Sequence, residues 1–431
     1  MVAQHFAGGR IHTLRRGARL TQAEMARRIG VSTSYLNQLE NDQRPISVSV
    51  LLALTQAFDV DAGYFAPESD VEKLTALRGI FPDVPADQLS DLATRYPDLA
   101  RGLSTRFNPA ANPYDTVRDY FFSTRSYIHD LDVAGEELAT YLGPIHLRAG
   151  RMAAALESDA GVNVNFRGDA TGHRRRYDPL TRTLTLRTGL NEAQLCFEMA
   201  LHYALSVHQD LLDSEVKDLD APDARDVALL GLAQYFASAV TLPYSAVLEV
   251  AEDTRYDVDR IASHFLASYE STCHRLSSLQ RPGAKGVPFN FVRIDRAGNV
   301  SKRQSARGVN FTADSATCPL WVVHRAFETP ARPTRQVARM PDGRTYLWVA
   351  RYVSSPTRGF TAPRREFAVA LGCEISQAHR LVYSDGLNLS PDAATEIGPG
   401  CRLCPREQCA QRAFPQEGRR VVVDFHSSQR N

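Results

Sequence analysis

The stretch from Leu20 to Glu40, reading LTQAEMARRIGVSTSYLNQLE, leaves the chain few choices. Thr21 is a good N-cap residue, and Glu24 three positions later completes the spacing of a capping box, so a helix starts there. Ala23, Met25, Ala26 and Ile29 supply its buried face, and Gly30 ends it where a left-handed backbone is tolerated. Ser32 then caps a second helix whose Leu36 and Leu39 fall inward. Two short helices joined by so tight a turn pack at a steep angle and can present the second to a major groove. The outward positions of that helix are Thr33, Ser34, Asn37 and Gln38, short polar donors and acceptors suited to base edges. Gln22 and Arg44 are placed to hold phosphates, and the cap Ser32 belongs to the same surface.

Residues 8 to 66 resemble the repressor-type DNA-binding domain of the phage-repressor and Xre class. Tyr35-Leu36-Asn37-Gln38-Leu39-Glu40-Asn41 stands where that class has its recognition helix. The resemblance implies a five-helix domain, a double-stranded DNA operator and binding as a dimer on two-fold sites. Net charge agrees with a local interface. The whole chain carries only +1, which excludes global attraction to nucleic acid. The first 44 residues hold Arg10, Arg15, Arg16, Arg19, Arg27, Arg28 and Arg44 against Glu24, Glu40 and Asp42, so the basic excess sits with the motif.

At 431 residues the chain has room for several domains. No secretory signal opens it, and the most apolar run, Val227 to Val247, is interrupted by Gln234, several hydroxyls and Pro243. It reads as a buried core helix, so no membrane partner and a cytoplasmic location are expected. Seven unevenly placed cysteines do not resemble a secreted disulfide framework. From Val71 to Arg106 apolar residues recur at helical spacing, and Phe107 to Pro113 reads as a linker. Tyr114 to Leu142 follows as one long helix with a single apolar stripe, expected either to pair with a second subunit or to lie along a sensor domain.

Ile145 to Leu205 reads as helix, hairpin, helix. Strands Val162–Phe166 and Thr183–Arg187 flank a basic turn, Gly172-His173-Arg174-Arg175-Arg176. The following helix carries Phe197-Glu198-Met199-Ala200-Leu201-His202. A zinc peptidase helix needs His at i and i+4 with Glu at i+1. Here positions 197 and 201 are Phe and Leu, and His202 is one residue out of register, about 100° round the helix. The segment resembles the IrrE-type metallopeptidase-like domain with its zinc site lost, leaving a cleft that a ligand sensor could reuse. Beyond Gly286 the pattern turns to strands (Val287–Arg293, Val300–Arg303, Trp321–Val323, Arg344–Val353, Arg365–Leu371), which suggests a small α+β domain.

The tail holds Cys401, Cys404 and Cys409, a C-x2-C-x4-C run able to wrap one metal centre. Cys373, ending a predicted strand, is preferred over Cys318 and His379 as the fourth ligand. Four thiolates suit zinc and a [4Fe-4S] cluster alike. Taken together, the repressor-type domain, the degenerate IrrE-like segment, Leu371-Gly372-Cys373, Ala378-His379-Arg380-Leu381-Val382-Tyr383 and Cys401 to Pro415 resemble the short-chain fatty acyl-CoA regulators. That resemblance implies a non-enzymatic transcription factor with acetyl-, propionyl- or a related acyl-CoA as effector. It also implies a [4Fe-4S] cluster on Cys373, Cys401, Cys404 and Cys409, with zinc as the alternative. For CoA phosphates the candidate cations are Arg174, Arg175, Arg176 and Arg293, with Tyr127 and Tyr203 flanking the acyl or adenine end. Two other readings are an iron-sulfur redox or oxygen sensor and a DNA-tethered metallopeptidase. The expected architecture is multidomain and mainly α with an α+β sensor region. Its parts are a DNA-binding domain (1–68), a helical dimerisation linker (69–143), a metallopeptidase-like α+β domain (144–283) and a C-terminal α+β domain with the four-cysteine site (284–431).

Overall fold

A computed structural model describes residues 7–18, 20–41, 43–58, scattered positions between 77 and 103, and 113–169, 172–219, 221–306, 317–330, 332–355, 360–361 and 364–419. The chain divides into two compact units, Met1–Ala111 and Asn112–Asn431.

The first unit opens with α1 (Gly8–Gly17), α2 (Gln22–Arg28), α3 (Thr33–Glu40) and α4 (Val48–Phe58). Both halves of the Thr21/Glu24 capping box form, and Ser32 caps α3 by accepting from the Tyr35 N–H. Gly30 takes φ +72°, a conformation that side chains rarely adopt, and so makes the tight turn between α2 and α3 without strain. Ile11, Met25, Ala26, Leu36, Leu39 and Leu54 close the core. The expected fifth helix at Ala62 to Phe65 and residues 107–112 of the expected linker lie outside the described residues. Leu77, Leu89, Ala93 and Ala100 bury together in a small separate cluster.

In the second unit the long helix expected over Tyr114 to Leu142 is broken in two. α5 (Pro113–Ser123) and α6 (His129–Leu142) are separated by a reversal in which Arg125 and Ser126 adopt φ of 54° and 56°. The stripe is consumed inside the chain. Leu131, Ala139 and Leu142 are fully buried, and Gly135 lets α6 approach α10 (Pro222–Thr241) so closely that a Cβ there would stand 2.6 Å from Cβ of Ala239. Of the two roles expected for this stripe, packing along its own sensor region is the one the geometry adopts.

Next come α7 (Arg148–Ala160), β1 (Asn163–Gly168), β2 (Arg175–Asp178), β3 (Thr183–Arg187), α8 (Glu192–Val207) and α9 (Gln209–Glu215). The expected hairpin is corrected. β1 and β3 pair in parallel, and the supposed basic turn runs into strand β2, antiparallel to β3, giving the order β1-β3-β2. α8 and α10 pack across Met199, Ala200, Leu232, Ala233 and Phe236. α10 and α11 (Tyr244–Asp253) form a pair bent by 61°, and among the described residues no single helix is long and apolar enough to cross a membrane.

After α12 (Val258–His264) and α13 (Tyr269–Leu276), the strands β4 (Asn290–Ile294), β5 (Val300–Ser305), β6 (Thr334–Arg339), β7 (Thr345–Ser354), β8 (Glu366–Glu374) and β9 (Thr395–Glu396) form one sheet, ordered β5-β4-β8-β7-β6-β9. Trp321-Val322-Val323 does not form the strand expected of it: Trp321 precedes the short helix α14 (Val322–Arg325), which is buried against one face. β6, read TRQVAR, shows too little apolar alternation to be legible in sequence. Strand alternation divides the sheet's side chains. Phe291, Leu347, Val369, Leu371 and Cys373 face one core with the α11–α13 helices, while Trp348, Ala368, Ala370, Trp321, Cys318 and Ile397 face the other.

Candidate functional site

On α3, Thr33, Ser34 and Asn37 are exposed and Gln38 half-exposed, as a reading face requires. The face is pre-ordered. Glu40, with its carboxylate nearly buried, accepts from Arg15 Nε at 2.6 Å and from Gln22 Nε2 at 2.7 Å, and Gln22 also reaches Asn37 Oδ1 at 3.2 Å. Gln22, at the start of α2, is thereby clamped beside Asn37. Arg44 is exposed and lies over the Tyr35 ring at 5.5 Å. Sequence reading does not single out Glu40 and Arg15 as part of this surface, because their pairing across 25 residues has no local signature. Gln38→Ala is expected to weaken operator binding by about 1–3 kcal/mol and to relax preference at one base pair. Fluorescence anisotropy on single-base operator variants checks it, and unchanged discrimination would remove Gln38 from base readout.

The second unit holds an open cavity of about 1730 Å³. One wall is built by β2, β3, α8 and α10, the other by α13 and the large sheet. Arg174, Arg175 and Arg187 stand on the first wall with Glu198; Arg293, Lys302, Arg351 and Arg365 stand on the second with Glu270. Seven cations against two carboxylates make this an anion-attracting cavity. On the sheet, Lys302, Arg293, Val369 and Arg351 share one cross-strand row, so three cations span three strand spacings, about 14 Å. Arg293 bonds Glu270 at 2.7 Å and lies over the Phe367 ring at 4.2 Å; Arg351 pairs with Asp259 and covers Tyr269.

The first wall contains the residues of the lost zinc motif. Phe197, Glu198 and Leu201 all line the cavity, so the positions for the two histidines and the general base keep their places with only the glutamate retained. Burial pushes the Glu198 carboxyl above its usual range, while Arg174, Arg175 and Arg187 act in the opposite direction. Arg174 and Arg175 each stand 3.6 Å from it, an ion pair too long for a hydrogen bond. His202 points elsewhere. It is buried against the Tyr177 ring with centroids 4.2 Å apart, its two ring nitrogens have no hydrogen-bond partner among the described residues, and burial with Arg175 nearby lowers its pKa to about 4.

Of the six effector candidates read from sequence, Arg174, Arg175 and Arg293 meet at this cavity. Arg176 is exposed on the outer side of β2, because successive strand residues alternate. Tyr203 is turned into the helical core, stacked on Phe236 with its hydroxyl donating to Asp159. Tyr127 belongs to an ionic network beside α6. It accepts from Arg281 Nε, and Arg281 together with Arg275 binds Asp132. Nothing local in the sequence marks Arg187, Lys302 or Arg351, whose context is that of ordinary strand surface; register aligns Lys302 and Arg351 on the large sheet, and Arg187 reaches the same cavity from the small one.

The cysteine loop is held by Arg412, whose guanidinium donates to the carbonyls of Cys401 at 3.0 Å and Cys404 at 3.1 Å. Cys401 Sγ accepts from the Ala413 N–H at 3.4 Å. Cys404 Sγ occupies the space a side chain at position 398 would need, 2.5 Å from where its Cβ would stand. Cys318 joins this group: burial raises its pKa, the N–H groups of Gly398 and Leu320 lower it, and the neighbouring Cys404 and Cys401 thiols raise it further. Cys373 does not join. It projects from β8 into the opposite core, where burial pushes its thiol up to about 12, and its charged neighbours are Glu374 and Arg380. The period of two along β8 is the reason, since only the residues alternating with Cys373 reach the face on which Cys318 stands. Among the described residues no three His, Cys, Asp or Glu side chains converge as a metal-binding group, so the expected four-cysteine centre is not assembled.

Three family models match successive parts of the chain: helix-turn-helix over 11–65, the IrrE N-terminal-like domain over 157–277, and the C-terminal domain of short-chain fatty acyl coenzyme A regulators over 278–431. The HTH-type transcriptional regulator RamB of Mycobacterium tuberculosis is 41% identical over 99% of this chain and 98% of its own length. This chain belongs to the short-chain fatty acyl coenzyme A regulator family. The HTH-type transcriptional regulator PrpR of the same organism is 42% identical over 97% of this regulator and 93% of its own length. The propionyl-CoA carboxylase regulator of Cereibacter sphaeroides is 39% identical over 98% and 97%. A solved structure titled Mycobacterium tuberculosis transcriptional regulator superposes with a TM-score of 0.70 at 43% identity, covering 74% of this regulator and 98% of that chain. The regulator is a DNA-binding transcription factor and not an enzyme.

Proposed function

We propose that this regulator binds its operator as a homodimer in the cytoplasm and is controlled by a short-chain acyl-CoA held in the cavity of the second unit. The observation that carries the reading is the coincidence, in one cavity, of cations on both walls with the apolar side chains Phe197 and Leu201 at the disabled zinc site. CoA presents a 3′-phosphate, a diphosphate and an adenine, which call for guanidinium and ammonium groups and aromatic surfaces. The sheet wall supplies Arg293, Lys302 and Arg351 with Tyr269 and Phe367. In the DNA-binding unit, Gln22, Ser32, Thr33, Ser34, Asn37, Gln38 and Arg44 form the operator surface.

The test is operator affinity measured with and without acetyl- and propionyl-CoA, beside direct titration of the thioesters. Arg293→Ala is expected to weaken acyl-CoA binding by roughly tenfold to a hundredfold, the worth of a charged hydrogen bond, and to leave DNA binding without effector unchanged. Operator affinity indifferent to every acyl-CoA would sink the reading.

The tail thiols are proposed to hold a metal centre, a [4Fe-4S] cluster or a zinc ion, on Cys401, Cys404 and Cys409 with Cys318 as fourth ligand in place of Cys373. Thiolates suit both groups chemically, since each takes four of them, although the thiols do not converge here. When bound, a cluster would supply one-electron redox chemistry, whereas zinc would only brace the loop. Cys318 would supply the fourth sulfur, and Arg412 holds the carbonyls of Cys401 and Cys404 in the loop.

A further inference from the structure

Cations line both walls of the cavity, and α8 and α10 add a patch that carries none. At the sheet end, cations and rings coincide: Arg293 over Phe367, Arg351 over Tyr269, and Lys302 in the same cross-strand row. On the other wall Arg174 and Arg175 pair with Glu198 and Arg187 stands near it; beside them Phe197 and Leu201 stand one turn apart on α8, and Leu230, Gln234 and Ser238 line the cavity from α10. An acyl-CoA is polar in the same sense, with its charged nucleotide separated from the acyl chain by the long pantetheine arm. Matching the two places the nucleotide on the sheet. The arm then passes Gln234 and Ser238, whose amide and hydroxyl can partner its two amide groups.

We propose that the acyl chain lies against Phe197 and Leu201, the two side chains that occupy the vacated metal-ligand positions, and that Phe197 sets the length of chain accepted. This rests on the cavity being the acyl-CoA site. A zinc peptidase aims these two positions at the reacting centre of its substrate. Replacing two imidazoles by Phe and Leu leaves the same directions filled with apolar bulk. Phe197 is the gauge because it is half-buried and borders the open space, whereas Leu201 is 3% exposed and mostly part of the core. A large ring bordering the cavity stops a chain laid against it; a smaller side chain leaves room for more methylenes. Each methylene that gains cover adds about fourfold in affinity, equivalent to about 0.8 kcal/mol.

The experiment is calorimetric titration of the full-length regulator with free CoA and with acetyl-, propionyl-, butyryl- and hexanoyl-CoA, for wild type, Phe197→Ala and Phe197→Leu. In Phe197→Ala the preference shifts to longer chains: two added methylenes improve binding by roughly fifteenfold relative to their effect in wild type, while free CoA changes less than about twofold. Phe197→Leu keeps the helix face apolar and shifts the preference the same way by less, so the inference stays testable if the alanine variant folds poorly. Chain-length ratios identical to wild type, or a loss equal for free CoA and all thioesters, overturn the assignment while leaving the cavity as the CoA site. Failure of wild type to bind free CoA or any thioester overturns the effector reading itself, and this inference with it.

Discussion

Asp132→Ala is expected to destabilise the second unit by about 3–5 kcal/mol, because it leaves the Arg275 guanidinium buried without its counter-ion. The carboxylate is fully buried and accepts from Arg275 Nη1 at 2.9 Å, Arg275 Nη2 at 3.0 Å and the Tyr235 hydroxyl at 2.6 Å. Arg275 is itself 1% exposed and uses Nε to bond the Leu242 carbonyl, so it cannot swing out to water. α6, α10 and α13 are joined at this one point. Urea unfolding of the wild type and variant measures the loss; a cost below about 1 kcal/mol would mean that water or a rearranged Arg281 replaces the lost charge. Asp132→Ala combined with Arg275→Met should recover part of the stability, since a buried ion pair replaced as a unit by apolar groups is often neutral or better.

The same group predicts an acid limb. Burial raises the Asp132 pKa, but Arg275, Tyr235 and Arg281 outweigh it and hold the carboxyl below its ordinary 3.8. A folded-state pKa below the unfolded one means that the stabilisation is complete above the unfolded value and fades as pH falls through the folded one. Wild type should therefore lose stability progressively below about pH 4, and the Asp132→Ala protein should lack that part of the slope.

Cys318→Ala is expected to abolish metal binding by the tail, and Cys373→Ala to leave it intact. Iron, sulfide and zinc analysis on protein purified without oxygen distinguishes them, with Cys404→Ala as the reference loss. Cys318 stands on the sheet face where Cys404 and Cys401 lie close enough to affect its titration, while Cys373 is sealed in the other core behind β8. The reverse pattern, with metal lost from Cys373→Ala and kept in Cys318→Ala, would require the sheet to open and would overturn this ligand set.

The contrast between those two cysteines shows where sequence reading stops. C-x2-C-x4-C is a local signal, because three thiols within nine residues can meet one centre whatever surrounds them. Which further cysteine faces the loop is not a local matter: it depends on strand parity in β8 and on the turn that seats Cys318 beside Gly398. The basic segment Gly172 to Arg176 behaves in the same way. Its charge made it a candidate for effector binding, and Arg174 and Arg175 do line the cavity, but its polarity disguised the start of a strand as a turn, and Arg176 is exposed on the other side of that strand.

By itself the sequence determined the DNA-binding helices, because caps, a turn glycine and a 3.6-residue apolar period act within a few residues of one another. It also determined that the zinc site is disabled, since two histidines one turn apart are a local requirement that Phe197 and Leu201 do not meet. Only the tertiary structure decided that the stripe of α5 and α6 is spent inside the chain, that Asp132 finds Arg275 across 143 residues, and that Lys302, Arg293 and Arg351 share one row. Those pairings depend on register and on which faces meet, and a long-range contact leaves no periodic trace in either of the segments that make it.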